Sequence, residues 1–151
     1  MVMLLYVNEN LQAAQEAEIG ETEEDKKLST GDLKQKYFVF ARKQFNRNPP
    51  VVVINKDRNW PIELSRRVIS EWRIKSRTRE RIISIQLLDT MMEGAKFLKT
   101  VEDTKGTFGI ESVSYFENQC KINGKVFKIN ITVKQQKSSK RRFAYYYSAT
   151  E

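Results

Sequence analysis

The dipeptide Asn123-Gly124 constrains this chain more than any other pair of its residues. A two-residue type I′ turn needs positive φ at both central positions, and asparagine followed by glycine meets that need at the least steric cost. A turn there dictates a register. Ile122 pairs with Lys125, Cys120 with Phe127, Phe116 with Ile131 and Ser114 with Val133. Phe116, Cys120 and Ile122 then share one face with Phe127, Ile129, Ile131 and Val133. The other face carries Tyr115, Glu117, Gln119 and Lys121 beside Lys128, Asn130, Thr132 and Lys134. Turn chemistry and hydrophobic alternation are independent signals, and they agree on a hairpin over Ser112–Lys134. The apolar face predicts core. The polar, basic face is where function is to be sought.

The 151 residues are expected to form one globular domain with a tail. No apolar run reaches the ~18 residues of a membrane span. Met1–Val7 is apolar but lacks a basic flank and a small-residue cleavage site, so it does not read as a signal peptide. The single cysteine, Cys120, sits on the predicted core face and reads as an inert thiol, with no disulfide framework. Histidine is absent, which removes Ser-His-Asp and Cys-His sites and the usual zinc ligand sets. Acid–base chemistry would fall to Glu, Asp, Lys, Arg or Tyr. No metal or cofactor is expected. The net charge of +8 is unevenly spread: residues 1–27 hold seven acidic and two basic residues, whereas the remainder holds 25 basic and 12 acidic. So basic a body points to a polyanionic partner, most simply nucleic acid.

Along the chain, Asn8–Ile19 has the spacing of a short amphipathic helix, and the charge run Glu21–Lys27 reads as a solvated linker, or as a tail folding back over the basic body. A stronger helix opens at Thr30-Gly31-Asp32 with Asp32 as cap, carrying Leu33, Tyr37, Phe40, Ala41 and Phe45 on one stripe until Asn48-Pro49-Pro50 stops it. Val51–Ile54 reads as a buried strand, and Trp60–Leu64 as an edge strand on account of Pro61. Ser65 caps a helix with Val68, Ile69 and Trp72 inward. From Thr78 the seam Ile83, Leu87, Met91, Ala95, Leu98 predicts one long helix, followed by a loop at Thr104–Gly109. Arg141–Ser148 reads as the last strand, with Phe143, Tyr145 and Tyr147 alternating against Arg142, Ala144, Tyr146 and Ser148. Helices first and a small twisted antiparallel sheet afterwards make an α+β domain over residues 31–151, with 1–30 as an acidic segment or linker bearing a short helix.

Ile62-Glu63-Leu64-Ser65-Arg66-Arg67, the turn Ile122-Asn123-Gly124-Lys125 and the terminal Tyr145-Tyr146-Tyr147-Ser148 together give residues 51–150 a familiar order. This stretch resembles the phage-associated nuclease-like domains of the barnase–EndoU–colicin–RelE superfamily, found in phage polyvalent proteins and toxin C-termini. The resemblance implies metal-independent RNA cleavage, RNA as partner, an antitoxin or immunity protein, and a cytoplasmic site of action reached by phage or secretion. Many members use a histidine that this chain lacks. RelE-type members are similar in lacking one, and rely on Lys, Arg, Tyr and hydroxyl groups.

Such cleavage requires removal of the 2′-hydroxyl proton, stabilisation of phosphorane charge and protonation of the leaving oxygen. Arginine suits the phosphate, because its planar fork binds two oxygens and keeps its charge. If the last strand adds to the hairpin with its aromatics in the core, Arg142, Tyr146 and Ser148 join the polar face. Candidate catalytic residues are then Lys128, Glu117, Tyr146 and Arg142. Candidate substrate-binding residues are Arg66, Arg67 and Arg73 on the helix, and Lys134, Tyr115 and Ser148 on the sheet. Two other readings stand beside this one. The first is a binding module of the same fold without catalysis. The second is an interaction protein whose acidic N-terminal segment pairs with a basic surface on a neighbouring chain.

Overall fold

A computed structural model describes residues 17–103 and 107–151. Met1–Val7, most of the helix expected over Asn8–Ile19, and Thr104–Gly106 of the expected loop lie outside the described residues. Seven strands form one sheet: β1 (Glu18–Ile19), β2 (Val51–Asn55), β3 (Trp60–Leu64), β4 (Lys96–Glu102), β5 (Ile110–Ile122), β6 (Lys125–Gln136) and β7 (Arg142–Thr150). The helices are α1 (Glu23–Lys26), α2 (Thr30–Phe45), α3 (Arg66–Lys75), α4 (Arg79–Ile83) and α5 (Leu88–Gly94).

The strand order is β1-β5-β6-β7-β3-β2, with β4 beside the first part of β5. The class is α+β, and the sheet is curled. It is mixed rather than wholly antiparallel, because β1 runs parallel to β5 and β3 parallel to β7. The central hairpin keeps the register dictated by its turn: Cys120 faces Phe127, Phe116 faces Ile131 and Ser114 faces Val133. Asn123 and Gly124 take φ of 52° and 79°. Phe116, Ile129 and Ile131 join Leu33 and Phe45 of α2 and Ile69 and Trp72 of α3 in one buried cluster. The helices therefore cover one face of the sheet, called inner below. Cys120 lies in this cluster, and burial pushes its thiol up to about 11, which suits an inert side chain.

Five expectations are corrected. Val51–Ile54 belongs to the edge strand β2, with Val52 and Ile54 exposed, and is not the buried strand expected. Ser29, not Asp32, caps α2, its hydroxyl accepting from the Asp32 amide at 3.1 Å. Phe40 stays exposed, outside the buried stripe of Leu33, Tyr37, Ala41 and Phe45. Strand β3 is not an edge: it pairs along its length with β2, and it meets β7 at Glu63↔Phe143. Pro61 is tolerated because that second contact falls past it. The long helix from Thr78 is broken. Thr78 does cap α4, but Ser84–Leu87 narrows to a 3₁₀ turn. There the Ser84 hydroxyl donates to the Arg81 carbonyl at 2.7 Å, and the Ser84 carbonyl accepts from the buried Tyr147 hydroxyl at 2.8 Å. Helix α5 ends at Gly94, and Lys96–Glu102 turns into strand β4.

The acidic run at Glu21–Lys27 is not a free linker: Glu23, Glu24, Lys26 and Lys27 stay exposed, but the run is docked on the body through Asp25. Thr22 and Asp25 form a capping box around α1, and the Asp25 side chain is fully buried. It accepts from Lys36 Nζ at 2.5 Å and from the Tyr37 hydroxyl at 2.7 Å. Burial alone would raise the Asp25 carboxyl, but the Lys36 and Tyr37 hydrogen bonds outweigh it and hold the group at about 2. Arg79 closes the clasp. It donates to the Glu21 carboxylate and the Asp25 carbonyl, each at 2.7 Å, and to the Leu28 carbonyl at 2.9 Å. The segment also reaches the hairpin turn, where the Glu21 amide donates to Asn123 Oδ1 at 2.9 Å.

Candidate nucleic-acid interface

On the outer face, away from the helices, the strands present the polar half of their alternation. Lys99 lies opposite Tyr115, Tyr115 opposite Thr132, and Thr132 opposite Tyr146, a row that crosses β4, β5, β6 and β7. The alternation expected for β7 fails midway. Thr132 pairs with Tyr146 but Val133 pairs with Ala144, so Tyr145 is an extra residue in β7. This bulge puts Ala144 in the core and sends Tyr145 outwards beside Tyr146. Tyr147 and Ala149 beyond it keep to the core.

Each outward tyrosine carries a cation. Lys134 Nζ lies 3.5 Å from the Tyr145 ring centre, Lys75 Nζ 4.9 Å from that of Tyr146, and Lys99 Nζ 5.6 Å from that of Tyr115. Helix α3 supplies one flank. Arg67, Glu71 and Lys75 recur at four-residue spacing and so share one stripe. Glu71 accepts from the Tyr145 hydroxyl at 3.4 Å. Burial, then the charge of Arg67, push the Lys134 ammonium below its ordinary value, against the opposing pull of Asp103 and Glu71.

The structure brings Tyr115, Lys134, Tyr146 and Arg67 to this surface and separates the remaining candidates. Glu117 and Lys128 form an ion pair at 3.2 Å further along the hairpin. Lys128 lies four positions from Thr132, the partner of Tyr146, roughly 14 Å along the strand. Groups sharing one scissile phosphate must come within about 3 Å of it or of a bridging water, so Lys128 and Tyr146 do not converge. Ser148 faces outwards opposite Asn130 but is nearly buried. Arg66 is exposed on α3, and Arg73 turns towards α2, its guanidinium 4.0 Å from the Phe38 ring centre. Arg142 is not on this face. Below the bulge it pairs with Gln135 on the inner side, and its guanidinium stacks on Trp60 at 3.7 Å.

Three members of the outer surface escaped the sequence reading. Tyr145 was hidden by a run of three identical residues, in which an extra one leaves no mark. Lys99 was hidden because the expected helix ran up to Leu98, where the structure has strand β4. Lys75 was legible as the third member of the four-residue stripe begun by Arg67. Among the described residues no helix is long and apolar enough to cross a membrane.

No curated protein and no solved structure matches the chain. A family model does: the one described as large polyvalent protein-associated domain 3 matches residues 26–146, from the end of α1 to the middle of β7, and the chain belongs to that family.

Proposed function

We propose that this domain is a nucleic-acid-binding module of a polyvalent protein, and that single-stranded RNA lies across its outer sheet face. One observation carries the reading: three outward tyrosines on one face, each with a lysine over its ring. Tyr115 and Tyr146 stand two strands apart, roughly 10 Å. Bases stack on such rings without regard to sequence, and the lysines between them meet the backbone phosphates. The basic balance of residues 28–151 supplies the long-range attraction.

Fluorescence anisotropy with a labelled single-stranded RNA tests this. Tyr145→Ala and Tyr115→Ala are each expected to cost about 1–3 kcal/mol of binding. Lys134→Ala is expected to lower the slope of log K against log salt by about 0.7. RNA binding that is absent at low salt, or unchanged in a Tyr115→Ala, Tyr145→Ala double variant, overturns the proposal.

Cleavage, which the family resemblance implies, is a second reading with one observation in its favour. Lys134 is a lysine made easier to deprotonate by burial and by Arg67, in contact with the tyrosine best placed to stack a base. Incubation with RNA in EDTA decides between the two. Discrete products that vanish in Lys134→Ala support a ribonuclease centred there, and intact RNA with retained binding supports the module.

A further inference from the structure

The correction of Arg142 opens a second site, on the other face of the sheet. Past the rows that the helices cover, the inner face turns polar. Ser112 lies opposite Gln135, Gln135 opposite Arg142, and Ser114 opposite Thr100. Ser112 and Ser114 are buried, their hydroxyls satisfied by Gln135 and Thr100. The curl of the sheet brings the β2–β3 turn round to this end. Its Asp57 accepts from the Phe97 amide at 2.8 Å, and Trp60 packs edge-on against Phe97 and Phe116. The result is one end of a half-barrel with an aromatic ledge and a polar wall.

Two arginines rest on that ledge. The Arg142 guanidinium lies 3.7 Å from the Trp60 ring centre. That of Arg58 lies 5.1 Å from Trp60 and 4.0 Å from Phe97. Among the described residues neither comes within ion-pair distance of a carboxylate. The nearby acids are engaged elsewhere, Asp57 with the Phe97 amide and Glu111 with Lys140. Burial, then the charge of Arg58, lower the Arg142 guanidinium from its ordinary value, with Glu111 pulling the other way. Two like charges held together over one indole, with no carboxylate paired directly to either, would be relieved by an anion. Stacking leaves the planar N–H edges of arginine free for bidentate contact with phosphate oxygens.

We infer that Arg58 and Arg142, stacked on the Trp60–Phe97 ledge, form a binding site for a phosphomonoester, the terminal phosphate of a nucleic-acid strand or of a free mononucleotide. Two positive charges match the dianion, which a phosphodiester inside a strand does not offer. Trp60 offers a ring edge to whatever base or sugar follows. The site is independent of the outer face and shares no side chain with it.

Isothermal titration of the whole chain with inorganic phosphate, a nucleoside 5′-monophosphate, and one short RNA bearing either a 5′-phosphate or a 5′-hydroxyl tests the site. In parallel, the Trp60 indole N–H resonance is followed against that of Trp72, which is held by the Arg81 carbonyl in the core. The monophosphate is expected to bind and to move Trp60 but not Trp72. Arg58→Gln and Arg142→Gln should each weaken it at least tenfold, with the 5′-hydroxyl RNA unaffected. Arg142→Lys keeps the charge without the planar fork and should also weaken it. Tighter binding of the 5′-phosphorylated RNA than of the 5′-hydroxyl RNA, with Trp60 moved, identifies a strand end as the source. Equal binding of the two RNAs identifies the free nucleotide. No binding of any phosphomonoester, or binding that leaves Trp60 unmoved or survives the double Arg→Gln change, overturns the inference. The 5′-hydroxyl RNA reads the outer face alone, so the two proposals fail separately.

Discussion

Asp25 is withdrawn from solvent with Lys36, Tyr37 and the Thr22 amide in reach, and its ionisation is thereby tied to the fold. Its carboxyl sits near 2, below the ordinary 3.8, so the unfolded chain takes up the proton more readily than the folded one. The corresponding stabilisation is complete above about pH 4 and is lost as pH falls towards 2. Its size is about 2 kcal/mol. Asp25→Asn should lose roughly that much at pH 7, and the gap to the parent protein should narrow between pH 4 and pH 2 in urea titrations. A gap that stays constant with pH would mean that the charge contributes nothing. None of this was legible locally. Glu21–Lys27 has the composition of a solvated run, and the groups that make Asp25 burial affordable come from Lys36, Tyr37 and Arg79.

At the scale of elements, the hairpin and the last strand behave differently for one reason. Asn123-Gly124 is a chemical marker with a single backbone consequence, so the register of β5 and β6 could be read residue by residue. The bulge in β7 has no such marker, and alternation carried through Tyr145 assigns every residue before it to the wrong side. Phe143 and Arg142 exchange faces with their expected positions on that account. Deleting Ala144 forces a choice between Tyr145 and Phe143 at the core position opposite Val133. The deletion should cost about 2 kcal/mol or more in equilibrium unfolding. Tyr145→Ala, which keeps the bulge, should cost less than half as much while weakening RNA binding. Equal losses would show that the bulge places nothing of energetic weight. Strand β4 was missed for a related reason: Ala95 and Leu98 prolong an apolar seam past Gly94, and only the Lys-Phe-Leu-Lys-Thr-Val run beyond it speaks for extension.

Across the whole molecule, the curled sheet separates two surfaces of different chemistry. Tyrosines and lysines face out, and paired arginines over an indole face in. The clasp at residues 17–28 joins α2, α4 and the hairpin turn, so its removal is felt far from its own position. Deleting residues 1–28 exposes the Lys36–Tyr37 site and takes from Arg79 all three of its acceptors. The expected loss is about 3 kcal/mol or more, read as a shifted urea midpoint. An unchanged midpoint would make the segment a passive tether. The clasp also orders events in time. Glu21 emerges from the ribosome about a hundred residues before Asn123, its partner at the hairpin turn, and β1 waits equally long for the end of β5. The part of this domain that is made early is therefore finished late, and until the hairpin exists its acidic residues must rely on the basic side chains of α2 and α4 alone.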